Sequence, residues 1–377
     1  MNIIIGSGFS GYTTAYSLSL KGKKSIIVSP AEKYKSKNIN LLEYVLKKNG
    51  QILNNSKKLS SEINKISETE IINCKFILSH TDGAQSNIWG GVLGNIEDYN
   101  NEKKFEKEIK FEKLLSILGI NKNYLKEKKF IHKNIFYKKY HIYKKNISKI
   151  KKNLRYKINE KKNKYVTKIL YKEKKVELYD LKNKKREFLS YDKLFISCGP
   201  IETAKLLINS FKTIKSINIK ETRHFYSLIS TNEKPKTRFF EIEVGGYKFS
   251  CQLYSLKNLI GFFSKKEKYL KNNNDKYFLG QCYLDTNYSG KINISKKNSK
   301  FQIVGVENKR FSQEKFKKKI KQFNNKNLNI KFNKIFFNKI GSSNHLGASI
   351  PINKKKNKFY IDNLGKLNLS KDIFICD

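Results

Sequence analysis

The chain has 377 residues, 38% of them hydrophobic and 13% aromatic, and carries a formal net charge of +47. Such a length holds roughly two to three domain equivalents around a large core, and 22 Tyr with 25 Phe exclude wholesale disorder. With 20 Gly and 4 Pro it is no collagen-like or Pro-rich scaffold, and five scattered Cys without a C-x-x-C pair exclude a disulfide framework and a zinc ribbon.

The charge invites a nucleic-acid reading, but only five of the 79 basic residues are Arg. Arg is the residue suited to bidentate phosphate and base recognition. The excess is shared by Lys, Asn, Ile, Phe and Tyr, whose codons are A/T-rich, so it reads as drift on solvated surfaces. No specific nucleic-acid binding is expected. No apolar run reaches the roughly eighteen residues of a membrane span, and Ile3-Ile4-Ile5 is too short for a signal peptide. No membrane span and a cytoplasmic location are expected.

Residues 2–5 read as a buried strand. Gly6-Ser7-Gly8-Phe9-Ser10-Gly11 follows, then a helix over Thr13 to Leu20 ended by Lys21-Gly22-Lys23, then a second buried strand, Ile26-Ile27-Val28. This is the strand–turn–helix–strand setting that a G-x-G-x-x-G motif needs to bind a dinucleotide. Gly6 permits the tight turn, Gly8 lets backbone approach a pyrophosphate, and Gly11 lets helix pack on strand. Free N–H groups at the helix start and its positive dipole end favour the phosphates. The second strand normally closes on an acidic residue for the ribose. Ser29 stands there, a weaker partner, and no Arg is in reach for a 2′-phosphate.

Residues 33–70 read as polar and irregular apart from a helix at Leu41 to Lys48. The stretch Thr81 to Gly91 carries Gly83, Ser86, Asn87, Trp89 and Gly90, small and polar residues suited to lying against a flat ligand. Lys164 to Leu170 alternates as a strand, and Val176, Leu178 and Leu181 continue a β-meander. Leu194 to Cys198 is a buried strand, followed by the Gly199-Pro200 turn and a helix from near Glu202, returning the chain to a parallel sheet. Between 211 and 340, strands are expected at Arg238 to Val244, Tyr247 to Tyr254, Tyr277 to Leu284, Lys291 to Ile294 and Phe301 to Val306, with a helix at Gln313 to Phe323. A largely antiparallel sheet follows from them. His345 sits in a short polar turn, and Ile373 to Asp377 ends as a strand. His80, His132, His141 and His224 carry no motif, and no His or Cys pair has ligand spacing, so no metal is expected.

The order of these islands resembles the glucose–methanol–choline (GMC) family of FAD-dependent oxidoreductases. Its first motif looks like Gly6 to Gly11, its flavin-contacting loop like Gly83 to Gly91, and its strand–Gly–helix motif like Ser197 to Leu207. Its His-x-x-Gly-Thr motif looks like His345 to Ala348, with Ala348 for Thr and one residue fewer before Gly347. Asp362, Gly365 and Asp377 match the downstream pattern. The resemblance implies FAD as cofactor, held by Gly6 to Gly11, Ser29, Gly83, Ser86, Asn87, Trp89, Gly90, Val166, Cys198, Gly199 and Asp377, with Val166 meeting the adenine. It implies His345 as the base in oxidation of a CH–OH group of an alcohol, polyol or sugar.

The implied fold is α/β: a Rossmann-like FAD-binding domain with a parallel sheet (1–100, 150–210 and 341–377) and an interleaved α+β substrate domain with a largely antiparallel sheet (101–149 and 211–340). The family carries a second catalytic His or Asn beyond the strand ending in Asp, and this sequence stops at Asp377, so a C-terminal truncation is expected. The charge would favour an anionic substrate such as a phosphorylated or acidic sugar. Two other readings are open: a different FAD enzyme, of the sugar-nucleotide mutase or amine oxidase type, and a basic binding protein on an inactive flavoprotein scaffold.

Overall fold

The computed structural model describes residues 1–31, 51–76, 78, 80, 92–93, 130–132, 135–137, 141–142, 159–232, 239–255, 276–326, 329–343, 345–347, 349–352 and 359–377. The chain is α/β, with one parallel sheet and several antiparallel ones. Five strands form the parallel sheet: β1 (Asn2–Ile5), β2 (Ser25–Val28), β3 (Asn159–Lys161), β4 (Lys193–Ile196) and β5 (Ile373–Ile375). Their order is β5-β4-β1-β2-β3, and every neighbouring pair runs parallel. Helix α1 (Phe9–Leu20) joins β1 to β2, and helix α2 (Pro200–Ser210) follows β4. The chain moves outward from β1 through β2 to β3, then returns to the other side of β1 at β4. The sheet order reverses between β1 and β4, which opens a crevice beyond their carboxyl ends.

β1, β2, β4 and β5 are mainly apolar runs because both faces are covered, whereas the edge strand β3 is Asn-Glu-Lys. Ile3, Ile4, Ile27, Val28, Leu194 and Ile196 are all nearly or fully buried. The same core extends through the three-stranded meander of Lys164–Leu170, Lys175–Asp180 and Arg186–Ser190, and through α2. It also takes in a four-stranded sheet of Ser216–Lys220, Lys291–Lys297, Lys300–Val306 and Thr69–Ile72.

A second core lies under a seven-stranded antiparallel sheet. Its strands come from Phe130–His132, Ile135–Tyr137, His224–Thr231, Phe239–Val244, Tyr247–Ser255, Tyr277–Leu284 and Ile330–Phe337. The helix Gln313–Lys326 closes this core with Phe316, whose ring meets Phe225 at 5.3 Å, Tyr247 at 5.3 Å and Phe249 at 5.7 Å, each edge-on. Such aromatic pairs contribute about 0.5–1.5 kcal/mol each beyond the area they bury.

Two expectations change. The polar stretch before residue 70 contains a sixteen-residue helix, Gln51–Ile66, whose last turns pack Leu59, Ile63 and Ile66 against Tyr165 and Leu181. The expected helix at 41–48 lies outside the described residues. Residues 211–340 supply strands to two sheets rather than one, and the first of these includes Thr69–Ile72, parallel to Lys300–Val306. Among the described residues no helix is long and apolar enough to cross a membrane.

Candidate functional site

The glycine turn is built by close backbone packing. Gly6 has φ +107°, and its N–H donates to the Val28 carbonyl at 2.8 Å. A Cβ on Gly6 would lie 2.2 Å from the Ser197 oxygen, and one on Gly11 would lie 2.0 Å from the Gly6 oxygen. β1, β2 and β4 therefore converge on this turn with no room for a side chain. Helix α1 starts directly after Gly8, which makes no side-chain cap hydrogen bond, and no acidic residue sits in its first turn. The first-turn amides of any helix lack intrahelical partners, so this end is positive and open to an anion.

A cavity of about 370 Å³ lies at that end, within the size range of ligand pockets. Its wall includes Gly6, Ser7, Gly8, Phe9 and Ser10 after β1, and Ser29 after β2. Cys198 and Gly199 after β4, Asp377 after β5, and Val166 from the meander also stand in it. Gly11 stands behind the turn rather than in the wall. Gly83, Ser86, Asn87, Trp89 and Gly90 lie outside the described residues.

Asp377 has a structural task here. Its Oδ1 accepts from the Gly199 N–H at 2.9 Å, and its Oδ2 accepts from the Thr203 hydroxyl, so it caps helix α2. Crowding by the protein pushes its carboxyl up to about 6, against the lowering effect of both hydrogen bonds. Burial likewise holds the Cys198 thiol well above its usual range.

Three further polar residues, His80, Tyr165 and Glu202, stand in the same wall, and Lys205 lies beside them. Glu202, in the first turn of α2, accepts from the Tyr165 hydroxyl at 2.8 Å and from Lys205 Nζ at 3.1 Å. Lys205 is only 2% exposed and lies over the rings of Tyr165 and Phe301. His80 is buried beside them, with Nδ1 2.8 Å from Ser60 Oγ and Nε2 4.0 Å from Glu202 Oε1. Burial lowers the His80 pKa. Burial alone would raise Glu202, but Lys205, then His80 and the Tyr165 hydroxyl, outweigh it and hold the carboxyl below its usual range. The sequence reading gave none of these four a role. The i, i+3 spacing of Glu202 and Lys205 on an apolar helix was the available signal.

His345 is placed by backbone contacts to the end of the strand Ser216–Lys220. The Thr222 N–H donates to the His345 carbonyl at 3.4 Å, and the Gly347 N–H to the Lys220 carbonyl at 2.7 Å. The buried Glu221 carboxylate accepts from the Gly341 N–H through Oε2. Burial pushes Glu221 up to about 7, against the Gly341 N–H and Arg223. His345 is exposed, and its imidazole packs on Tyr283, ring centres 4.4 Å apart. The surrounding protein lowers its pKa. His224, given no role from sequence, stacks on the same Tyr283 at 5.0 Å and meets Asn338 Nδ2 through Nδ1 at 2.9 Å. Burial, then His345, lowers His224 to about 4. His345 itself does not line the cavity, but its neighbour Leu346 does. His132 and His141 lie in short strands, Phe130–His132 and His141–Ile142.

Among the described residues no three His, Cys, Asp or Glu side chains gather as a metal site. No family model matches this chain, and no curated protein matches it.

Proposed function

We propose that the chain is an FAD-dependent oxidoreductase of GMC type, acting on a CH–OH group of an alcohol, polyol or sugar. The observation that carries the reading is the cavity at the sheet's reversal point, where the uncapped start of α1 meets the ends of β1, β2 and β4. A strand order of β5-β4-β1-β2-β3 matches the 3-2-1-4-5 part of a doubly wound, Rossmann-like sheet, in which dinucleotides bind at that point.

The residues present fit such a cofactor. The Gly6 to Gly11 turn would hold the pyrophosphate at the start of α1. Ser29 would meet the ribose, and Val166 on the meander would face the adenine. The apolar wall of Ile5, Val28, Leu78, Ile201 and Leu206 would enclose the base. Bound FAD supplies a two-electron acceptor for the carbinol hydride.

His345 is the base of this reading. Its lowered pKa keeps the imidazole neutral near pH 7, able to take the substrate hydroxyl proton on a ring nitrogen. His224 holds the same aromatic neighbour and stays neutral beside it. A cytoplasmic location belongs to the same reading.

The test is direct. Protein purified from an expressing host is expected to be yellow, to release FAD on denaturation, and to bleach when an oxidisable alcohol is added without air. Colourless protein that gains no flavin from added FAD would reject the reading.

A further inference from the structure

The helix Gln313–Lys326 covers the second core with Phe316 and Ile320, both almost fully buried. Lys315, Lys317, Lys318, Lys319 and Lys321 are all exposed on its remaining surface. Helical spacing arranges them. Lys315 with Lys319 and Lys317 with Lys321 run along the two flanks, and Lys318 stands on the crest between. Lys309 and Arg310, also exposed, lie just before the helix. Across positions 309–321 seven basic residues stand against one acid, Glu314, whereas the whole chain spreads a net +47 over 377 residues. The charge here is several times denser than the background that composition drift supplies.

These lysines are also unneutralised. Among the described residues none of the five has a carboxylate partner, while Lys164, Lys174 and Lys184 around the meander each pair with an acid. Glu307, the next acid before the helix, is taken by Arg223. Like charges at i, i+4 destabilise a helix, so both flanks oppose the helix that carries them. Burial of Phe316 and Ile320 holds it in place, and an anionic surface laid against the crest would relieve the repulsion.

We infer that this helix docks the protein peripherally on an anionic lipid bilayer. A cluster of four to eight lysines on an amphipathic helix is the electrostatic footprint for a phosphatidylserine-type surface. The chemistry of the patch favours a headgroup layer over nucleic acid. Lys offers point charges without the planar fork that reads bases. The rings on the helix, Phe316 and Phe323, are buried and half-buried, which leaves none among the lysines for a base to stack on. With no exposed apolar side chain among the described residues of the helix, attachment is by charge alone, reversible and weakened by salt.

The test is sedimentation of the full chain with lipid vesicles. A chain of +47 adheres weakly to any anionic surface, so two triple variants that remove equal charge are compared. One is Lys317→Gln/Lys318→Gln/Lys319→Gln on the helix. The other is Lys172→Gln/Lys182→Gln/Lys185→Gln in the connections of the meander. All six positions are exposed, so neither variant disturbs a core. At about 0.15 M salt, wild type is expected to sediment with vesicles of roughly three parts phosphatidylcholine to one part phosphatidylserine, and not with phosphatidylcholine alone. The helix variant is expected to bind on the order of 100-fold more weakly, the effect of three lysines near such a surface, and the meander variant close to wild type. No binding by wild type, or an equal loss in the two variants, overturns the inference. So does binding to polyuridylate that the helix variant loses while the vesicles stay unbound, which would assign the patch to RNA.

Discussion

The imidazole of His345 lies 4.4 Å from the ring centre of Tyr283, and His224 stacks on that same ring at 5.0 Å and 13°. Tyr283 comes from the seven-stranded sheet, while His345 is tied by backbone to the end of the strand Ser216–Lys220. One aromatic ring, on the face of that sheet opposite the second core, therefore joins the candidate base to His224.

This contact predicts how the base behaves. His345→Ala is expected to slow flavin reduction by about 10²–10⁴-fold, the range for loss of a general base. With wild type, the reduction rate should fall only as pH drops through a value below 6.5, because the surroundings depress the imidazole pKa. Tyr283→Leu opens the site to water and should move that inflection upward. Stopped-flow reduction without air, across pH, measures both. An unchanged rate in His345→Ala would remove it from the chemistry.

The glycine turn makes a paired prediction. Gly11→Ala puts a methyl group 2.0 Å from the Gly6 oxygen, a backbone atom that no rotamer change can relieve, so the variant should be insoluble or melt far below wild type. Gly199→Ala meets nothing within 4 Å, and its only cost is a φ of +84°. With ψ at 153° the backbone lies in a region that essentially only glycine adopts, so about 1–3 kcal/mol of strain and a Tm lower by a few degrees are expected for it. Thermal melts of the two variants separate packing from strain.

Stability should depend on pH through two opposed groups. Glu221 has its pKa raised from 4.5 to about 7, so its contribution is full below 4.5 and is lost as pH rises through 7. His224 has its pKa lowered from 6.5 to about 4, so its contribution is full above 6.5 and is lost as pH falls through 4. Glu221→Gln removes only the first. Relative to wild type, that variant should gain stability from about pH 5 to about pH 8, by up to roughly 3 kcal/mol. Denaturant titrations at several pH values measure the difference, and a constant offset would contradict the burial of the Glu221 carboxyl.

Cys251 and Cys282 face each other in register on adjacent strands, Sγ to Sγ 3.2 Å, and both are buried. Burial raises the Cys282 thiol well above its usual range. A thiol reagent should leave both unmodified in native protein and modify all five cysteines after unfolding. Modification of either one before unfolding would show the second core to be open.

Local constraints were readable in the sequence and long-range ones were not. Asn2–Ile5, Lys164–Leu170 and Tyr277–Leu284 are strands at the expected limits, because apolar runs or strict alternation depend on nearest neighbours alone. His224–Thr231 escaped notice because its inward row, Phe225, Ser227, Ile229 and Thr231, is half polar. Ile330–Phe337 escaped because a bulge opposite Leu228 and Ile229 shifts its register, so alternation holds for Ile330 and Phe332 and then breaks. The glycine turn was legible for the same local reason. The grouping of His80, Tyr165, Glu202 and Lys205 was not, since three separate segments meet only in the folded chain.

The cavity beside Gly6 to Gly11 is decided by one experiment: extract the nucleotide from freshly purified wild-type protein, identify it by chromatography and mass, and count it against protein. About one FAD per chain, with a flavin absorbance that bleaches anaerobically on adding an alcohol substrate, is the predicted result. Protein that carries no flavin, takes up none from added FAD, and binds no adenine nucleotide would contradict it.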